Sequence, residues 1–205
     1  MNYKDEALES LRGKWGWSVV LALEYFAIYY IPSILIDLAV EFAGYTGNIS
    51  FGNLWYLPMI PVAWGVTIAF LQIARREKVT NHILFEGFDQ FGRIFLTKLL
   101  QGAYTLLWSL CLVIPGIIKF YSYAMTDYIL KDTDLSYGEA IDRSMEMMDG
   151  HKSELFLLDL SFIGWFILSC LTLGIGFLLF IPYIETAHAH FYEHLKEDFY
   201  SKKEA

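Results

Sequence analysis

Long apolar runs separated by short polar segments dominate the sequence. Two of these runs, residues 54–73 and 161–184, contain about 20 or more residues, which is the length a helix needs to cross the hydrocarbon core of a bilayer. A third run follows Lys14. The pattern therefore predicts an all-α integral membrane protein, and we expect the bilayer itself to be its main partner.

The composition agrees with this interpretation. Of the 205 residues, 56% are hydrophobic and only 19% are charged, whereas a soluble domain carries about 25% charged residues. The formal net charge of -8 argues against nucleic acid as a partner, because a nucleic-acid-binding domain concentrates Lys and Arg on one face.

The basic residues predict which side of the membrane each polar segment occupies. Thirteen of the 15 fall into four clusters, namely Lys4, Arg12 and Lys14; Arg75, Arg76, Lys78 and Arg93; Lys131, Arg143 and Lys152; and Lys196, Lys202 and Lys203. The segment 41–53 contains none. By the positive-inside rule, the four clusters and both termini face the cytoplasm of the cell membrane, and 41–53 lies outside.

Four clusters on one side require an even number of crossings between them. We therefore expect a single membrane domain, 1–205, with about six membrane helices in three hairpins at about 15–73, 93–131 and 153–195. The third hairpin is expected to turn at 172–176, which is rich in glycine. The second is too short for two full spans of about 20 residues. It is therefore short, tilted or re-entrant, and a four-span arrangement with interfacial helices stays open.

Short sequence signals mark the ends of these hairpins. Apolar residues at three- and four-residue steps predict an amphipathic helix on the cytoplasmic surface before each hairpin, at 4–11, 81–91 and 136–148. Ser136 and Glu139 form a capping-box pattern at the start of the last of them. Each return arm is expected to begin at an Ile-Pro pair, because proline fits the first turn of a helix. These pairs are Ile60-Pro61, Ile114-Pro115 and Ile181-Pro182.

Four ionisable residues lie deep in apolar segments and are the candidate functional residues: Glu24, Lys119, Glu185 and His188. Such groups are costly in a bilayer and indicate either function or pairing. One interpretation is a proton or ion relay along a polar cavity. The other is structural, with Lys119 paired to Glu185 or Glu24, or reaching the headgroups. Four further charged residues lie nearer the predicted interfaces, where headgroup contact would suffice: Asp37, Lys98, Asp127 and Asp159.

The C-terminal run His190-x-x-Glu193-His194 has the order of an inverted zinc-protease motif. His190 and His194 share one helix face and are weak candidate metal ligands, but that motif needs a third ligand well downstream, and only eleven residues follow His194. The sequence contains no phosphate-binding loop, nucleophile elbow or dinucleotide fingerprint. We therefore expect no metal and no cofactor, and we do not expect an enzyme.

Several blocks of sequence are specific enough to carry a family resemblance. The most specific is Leu-Leu-Trp-Ser-Leu-Cys-Leu-Val-Ile-Pro-Gly-Ile-Ile-Lys-Phe-Tyr-Ser-Tyr-Ala-Met at 106–125, followed by Ala-Ile-Asp-Arg-Ser-Met at 140–145, Met-Asp-Gly-His-Lys at 148–152 and Leu-Ser-Phe-Ile-Gly-Trp at 160–165. With these blocks the sequence resembles the domain-of-unknown-function 975 family, and the resemblance extends over nearly the whole chain. It implies a small bacterial integral membrane protein, mostly from Gram-positive species, and supplies no activity.

Two functional hypotheses follow. The first is a non-enzymatic membrane scaffold or accessory protein that contacts a protein partner or lipid through its cytoplasmic amphipathic helices. The alternative is a small-solute or ion transporter or channel that uses Glu24, Lys119, Glu185 and His188. The sequence does not indicate an oligomeric state.

Overall fold

A computed structural model describes residues 3–45, 47, 50–80 and 82–204. The described chain is 79% helical and contains no strand, which confirms the predicted all-α class. The helices follow one another as α1 (Tyr3–Leu11), α2 (Trp15–Phe42), the 3₁₀ helix η1 (Phe51–Tyr56), α3 (Ile60–Ala74), α4 (Ile83–Glu86), α5 (Phe91–Cys111), α6 (Val113–Ser122), α7 (Thr126–Asp132), α8 (Tyr137–Met147), α9 (Lys152–Leu160), α10 (Ile163–Leu171) and α11 (Phe177–Glu204).

Helix α3 lies at the centre of the bundle. Most of its 15 residues are buried, and it contacts α1, α2, α4, α5, α7 and α11. Its sequence is apolar around its whole circumference, which is typical of a helix packed on all sides. Because α5, α7 and α11 all contact α3, this helix determines where the polar residues of those three helices meet.

Within the described residues, two helical segments are long and apolar enough to cross a membrane. They are α2, with 28 residues, and 152–171, with 20 residues, in which a single turn at 161–162 joins α9 to α10. At about 1.5 Å per residue, they span about 42 Å and 30 Å. Only 17% and 22% of their most apolar stretches are buried inside the protein.

Three connections bring consecutive helices into contact, as the hairpin prediction requires. Helix α2 contacts η1 and α3, α5 contacts α6, and α10 contacts α11. The α10–α11 connection occupies 172–176, as expected from its glycines, and Gly174 adopts a left-handed φ of 89°. Whether each pair crosses a membrane stays a prediction.

In all three connections a glycine lies against a serine of the preceding helix. A Cβ at Gly116 would lie 2.9 Å from Ser109 Cα, and one at Gly176 would lie 2.7 Å from Ser169 Cα. Gly52 approaches the backbone carbonyl of Ser33. The Asp37 carboxylate, expected at the headgroups, instead accepts a hydrogen bond from Gly52 N at 2.7 Å and secures this connection to α2.

The predicted amphipathic helices form only in part. α1 and α8 match their predicted segments, and α8 begins with the expected capping box, in which Ser136 N donates to Glu139 Oε2 at 2.8 Å. The prediction for 81–91 is wrong in its length: α4 has only four residues, and α5 already begins at Phe91. Asn81 lies outside the described residues.

The Ile-Pro pairs begin two of the three return arms. Pro61 and Pro115 lie in the first turn of α3 and α6. The third expectation is wrong, because α11 begins at Phe177 and Pro182 lies inside it. The turn before α11 is closed by Gly176 N donating to Thr172 Oγ1 at 2.9 Å. The helix therefore starts directly after this turn and before Ile181-Pro182.

Candidate functional site

A cavity of about 740 Å³ lies among α3, α5, α6, α7, α9 and α11 and is partly open to the surface. Along α5 its lining extends from Lys98 to Ser109, a distance of about 16 Å at 1.5 Å per residue. Its wall combines aromatic rings with hydroxyl, amide and ionisable groups. This volume and this mixture are typical of sites for small molecules.

The first polar pair in the cavity joins α5 to α7. Lys98 Nζ donates to Asp127 Oδ2 at 2.5 Å, and both side chains line the cavity. The second carboxylate oxygen, Asp127 Oδ1, is buried and has no hydrogen-bond partner among the described residues. A buried acceptor without a donor is costly, so this oxygen offers a hydrogen-bonding position to a ligand.

The second polar pair joins α9 to α11. His188 Nε2 and Asp159 Oδ1 are 2.6 Å apart, and Tyr121 Oη donates to the other oxygen, Asp159 Oδ2, at 2.9 Å. Both carboxylate oxygens of Asp159 are therefore occupied. A histidine held by a carboxylate has a fixed orientation, which is the arrangement found in proton-transfer sites.

Glu185 lies between these two pairs. It lines the cavity one helical turn before His188 on α11, and it interacts electrostatically with His188, and more weakly with Asp127, Lys98 and Asp159. In the part of the chain that the structure describes, its carboxylate accepts no hydrogen bond and forms no ion pair. Glu185 is thus an acidic group in the cavity wall whose charge no neighbouring cation neutralises directly.

Aromatic residues of α7 and α11 close one end of the cavity, on the side toward the C-terminal ends of these two helices. Tyr128 lines the cavity and stacks on Tyr192, with ring centroids 4.9 Å apart and an interplanar angle of 17°. Tyr192 Oη in turn donates to Asp132 Oδ2 at 3.0 Å. The cavity is therefore separated by one aromatic layer from the ionic network described next.

Asp132 lies at the centre of a network that joins α3, α7 and α11 beyond this aromatic layer. Arg75 donates to both Asp132 oxygens, at 2.9 and 2.6 Å, and also to Glu193 Oε1. Lys196 Nζ donates to Asp132 Oδ2 at 2.5 Å. Burial by itself raises the pKa of Asp132, but the hydrogen bonds and charges of Arg75 and Lys196 outweigh it, and the pKa is lowered.

Two of the four predicted intramembrane residues meet in the cavity. Glu185 and His188 line it, whereas Glu24 and Lys119 are absent from its lining among the described residues. Glu24 is half-buried on α2. The residue after it, Tyr25, interacts electrostatically with Glu185.

The expected ion pair of Lys119 with Glu185 does not form in the described structure. Lys119 Nζ lies 3.5 Å from Met145 Sδ and 5.3 Å from the centre of the Trp108 ring. It is held by the polarisable sulfur and by a cation–π contact instead. The side chain of Lys119 is therefore directed toward α5 and α8, and not toward Glu185 on α11.

The weak metal candidates serve to pack α1 against α11. His194 Nε2 is 2.8 Å from Glu6 Oε2, and His190 Nε2 is 2.9 Å from Ser10 Oγ. Glu193, the third residue of the motif, binds Arg75. Across the described residues, no group of three or more His, Cys, Asp or Glu side chains is arranged to hold a metal ion.

Sequence reasoning missed three residues of the site. Lys98, Asp127 and Asp159 were expected near the interfaces and instead form the ionic pairs of the cavity. Their signal in the sequence was the same as that of Glu185, a charge within an apolar run. Their predicted depth in the membrane placed them at the headgroups. The sequence did not reveal their pairing, because the partner of each lies 29 residues away on another helix.

Comparison with known families gives one match. Residues 110–198 match the family described as Protein of unknown function (DUF975). This segment is similar to the DUF975 family. The match confirms the resemblance over these residues, although not over nearly the whole chain as expected. No curated protein and no solved structure matches the chain significantly.

The DUF975 segment contains most of the cavity's ionisable groups. It includes Asp127, Asp159, Glu185 and His188, whereas Lys98 precedes it on α5. The cavity is therefore built mainly from the part of the chain that is similar to this family.

Proposed function

We propose that this protein is an integral membrane protein of the cell membrane that binds a small polar solute in the cavity and carries it across the bilayer. The polytopic arrangement is part of the proposal: three hairpins, with both termini in the cytoplasm. The observation that carries the function is the cavity, in which an unpaired acid and two ionic pairs from four helices face one space.

The exposure of the apolar helices supports the membrane location. A core helix of a soluble protein is mostly buried, but α2 and 152–171 leave most of their apolar side chains uncovered. On α5 and α6 the apolar side chains Leu110, Val113 and Ile114 are between 72% and 74% exposed. Such continuous apolar surface is stable against lipid and unfavourable in water.

The two ends of the cavity support a transport role. The lining reaches Ser109 beside the α5–α6 connection, which the proposed topology places on the outer side. At the other end, the Tyr128–Tyr192 stack and the Asp132 network separate it from the predicted cytoplasmic face. A site that is partly open to the surface and is separated from the predicted cytoplasmic face by breakable contacts is compatible with alternating access.

The scaffold hypothesis receives less support from the structure. It depended on amphipathic helices that offer an apolar face to lipid or to a partner. Helices α1 and α8 bury those faces within the bundle, through residues such as Ala7, Leu11, Ala140 and Ile141. Apart from Leu8 and Tyr137, which stay exposed, these apolar faces are not free for an interaction, so we favour the cavity as the functional site.

Flux through proteoliposomes tests the proposal. The full chain is reconstituted, and the uptake of small cations, anions and neutral solutes is compared with that of empty vesicles. Gly102 on α5 lines the cavity, and a Cβ built there meets no atom within 4 Å. Gly102→Trp should therefore fill the cavity without a local clash and abolish uptake.

Gly92→Trp is the matched control. Gly92 lies on the same helix, its Cβ is equally free of neighbours, and it does not line the cavity in the described structure. This variant should transport as the wild type does. If wild-type uptake equals that of empty vesicles for every solute, or if both Trp variants transport equally, the proposal is wrong.

A further inference from the structure

We propose that the ligand of the cavity is a small organic ammonium ion whose charged nitrogen binds Glu185. This inference rests on the proposed function and adds the substrate class to it. It depends on the charge balance of the lining, on the hydrogen-bonding groups left unused, and on the rings beside them.

The charge balance of the cavity favours a cation. Its lining contains three carboxylates, those of Asp127, Asp159 and Glu185, and one lysine, Lys98. Lys98 neutralises Asp127, and His188 is directed at Asp159. Even with His188 protonated, the charge of Glu185 is left over, and a monovalent cation would neutralise it. An anion would be repelled by the Glu185 carboxylate, and Lys98 could not attract it because Lys98 is already paired with Asp127.

Two carboxylates of the lining leave acceptor positions unused. Asp127 Oδ1 is buried without a donor, and the Glu185 carboxylate has no donor among the described residues. An alkylammonium group carries up to three N–H donors and no acceptor. It therefore complements these oxygens, whereas a carboxylate or phosphate ligand would add further acceptors to them.

The rest of the lining favours an organic cation over a metal ion. Nowhere in the described chain are three potential ligands close enough to coordinate one metal. The walls of the cavity instead include the rings of Phe120, Tyr121, Tyr123 and Tyr128. Aromatic faces attract ammonium groups and pack against the alkyl carbons attached to them.

Three probes of similar size and different charge test this assignment: ethylammonium, acetate and acetamide. The full-length protein is purified in detergent for thermal unfolding and reconstituted for uptake. A ligand that binds only the folded state raises the unfolding temperature. We expect ethylammonium to raise it and to be taken up, and acetate and acetamide to do neither.

Glu185→Gln tests the role of the carboxylate with little change of shape. We expect at least a tenfold higher half-saturating concentration of ethylammonium, while Glu185→Asp, which keeps the charge, should lose less. Glu197→Gln is the matched control, because Glu197 is an exposed acid on the same helix, twelve residues further on. It should bind ethylammonium as the wild type does. The unfolding temperature without ligand shows whether each variant is folded.

The outcomes separate this inference from the proposed function. Uptake of acetate or acetamide in preference to ethylammonium would overturn the substrate class and leave the transport proposal standing. Equal ethylammonium affinity in wild type and Glu185→Gln would overturn the assignment to Glu185. Absence of binding and uptake for all three probes and for the wider solute panel would count against both proposals.

Discussion

At the scale of single residues, Asp132 connects three helices through one carboxylate. Its side chain is 11% exposed and binds Arg75 from α3 and Lys196 from α11. Asp132→Ala would leave two partly buried cations without this partner. We expect a loss of about 2–4 kcal/mol in the free energy of unfolding, because removing one member of a buried ion pair leaves the other charge buried without a partner. Thermal unfolding in detergent measures it.

The exposed pair of Arg76 and Glu9 provides the control. Their side chains are 69% and 67% exposed, and Arg76 Nη2 lies 2.9 Å from Glu9 Oε1. Glu9→Ala should change the free energy of unfolding by less than about 1 kcal/mol, since exposed ion pairs contribute little. Equal losses of unfolding free energy in the two variants would show that the Asp132 network stabilises the protein no more than an exposed ion pair does.

The same carboxylate makes stability depend on pH. Arg75 and Lys196 lower the pKa of Asp132 against the opposing effect of burial. A group with a lowered folded-state pKa stabilises the protein fully above its unfolded pKa of about 4 and loses that contribution as the pH falls through the folded value. The unfolding temperatures of wild type and Asp132→Asn should therefore differ at neutral pH and converge below about pH 4. A difference that stays constant with pH would contradict this.

The residues of the cavity show how far sequence reasoning reaches at this scale. A charge in an apolar run is visible in the sequence, and it singled out Glu185 and His188. The partner of such a charge is not visible. The pairs Lys98–Asp127 and Asp159–His188 form between helices, and their geometry depends on how each helix is rotated about its axis. Position along the chain gives depth but not rotation.

At the scale of helices, Gly116 allows α5 and α6 to approach closely. A Cβ there would lie 2.9 Å from Ser109 Cα, closer than two carbon atoms can pack. Gly116→Ala should therefore separate the two helices and destabilise the protein by about 1–3 kcal/mol, the cost typical of overpacking. A lowered unfolding temperature in detergent is the expected result.

Gly164→Ala is the matched substitution in α10. The Cβ built at Gly164 meets no atom within 4 Å. Alanine should leave stability unchanged or raise it by about 0.5–1 kcal/mol, because glycine is a poor helix former. If Gly116→Ala is as stable as Gly164→Ala, the contact at Ser109 does not limit the packing of α5 against α6.

Local signals predicted helices well where the packing agrees with them. Residues 136–148 combine a capping box with an apolar stripe, and α8 forms there. Residues 81–91 carry a similar stripe but follow a tight path against α3. A Cβ at Gly65 would lie 2.7 Å from Leu84 O, and one at Gly87 would lie 2.7 Å from Pro61 O. This close contact of backbones replaces the regular helix, and no periodicity in the sequence predicts it.

At the scale of the whole molecule, the charge distribution predicts one orientation in the membrane. The α10–α11 turn is predicted outside, and the second half of α11, with Lys196 and Glu197, is predicted inside. The structure provides an exposed position at each place, because Leu173 in the turn is 95% exposed and Glu197 is exposed on α11. These two positions test the orientation directly.

The last prediction concerns the labelling of single cysteines introduced at these two positions. Cys111 and Cys170 are first replaced by serine, and Leu173→Cys or Glu197→Cys is then introduced. A membrane-impermeant maleimide should label Leu173→Cys in intact cells but Glu197→Cys only after permeabilisation, because about 30 Å of hydrocarbon separates the two sides. Labelling of both positions from outside would show that α11 does not cross. Labelling of Glu197→Cys alone would invert the orientation, and the end of the cavity lined by Ser109 would then lie toward the cytoplasm.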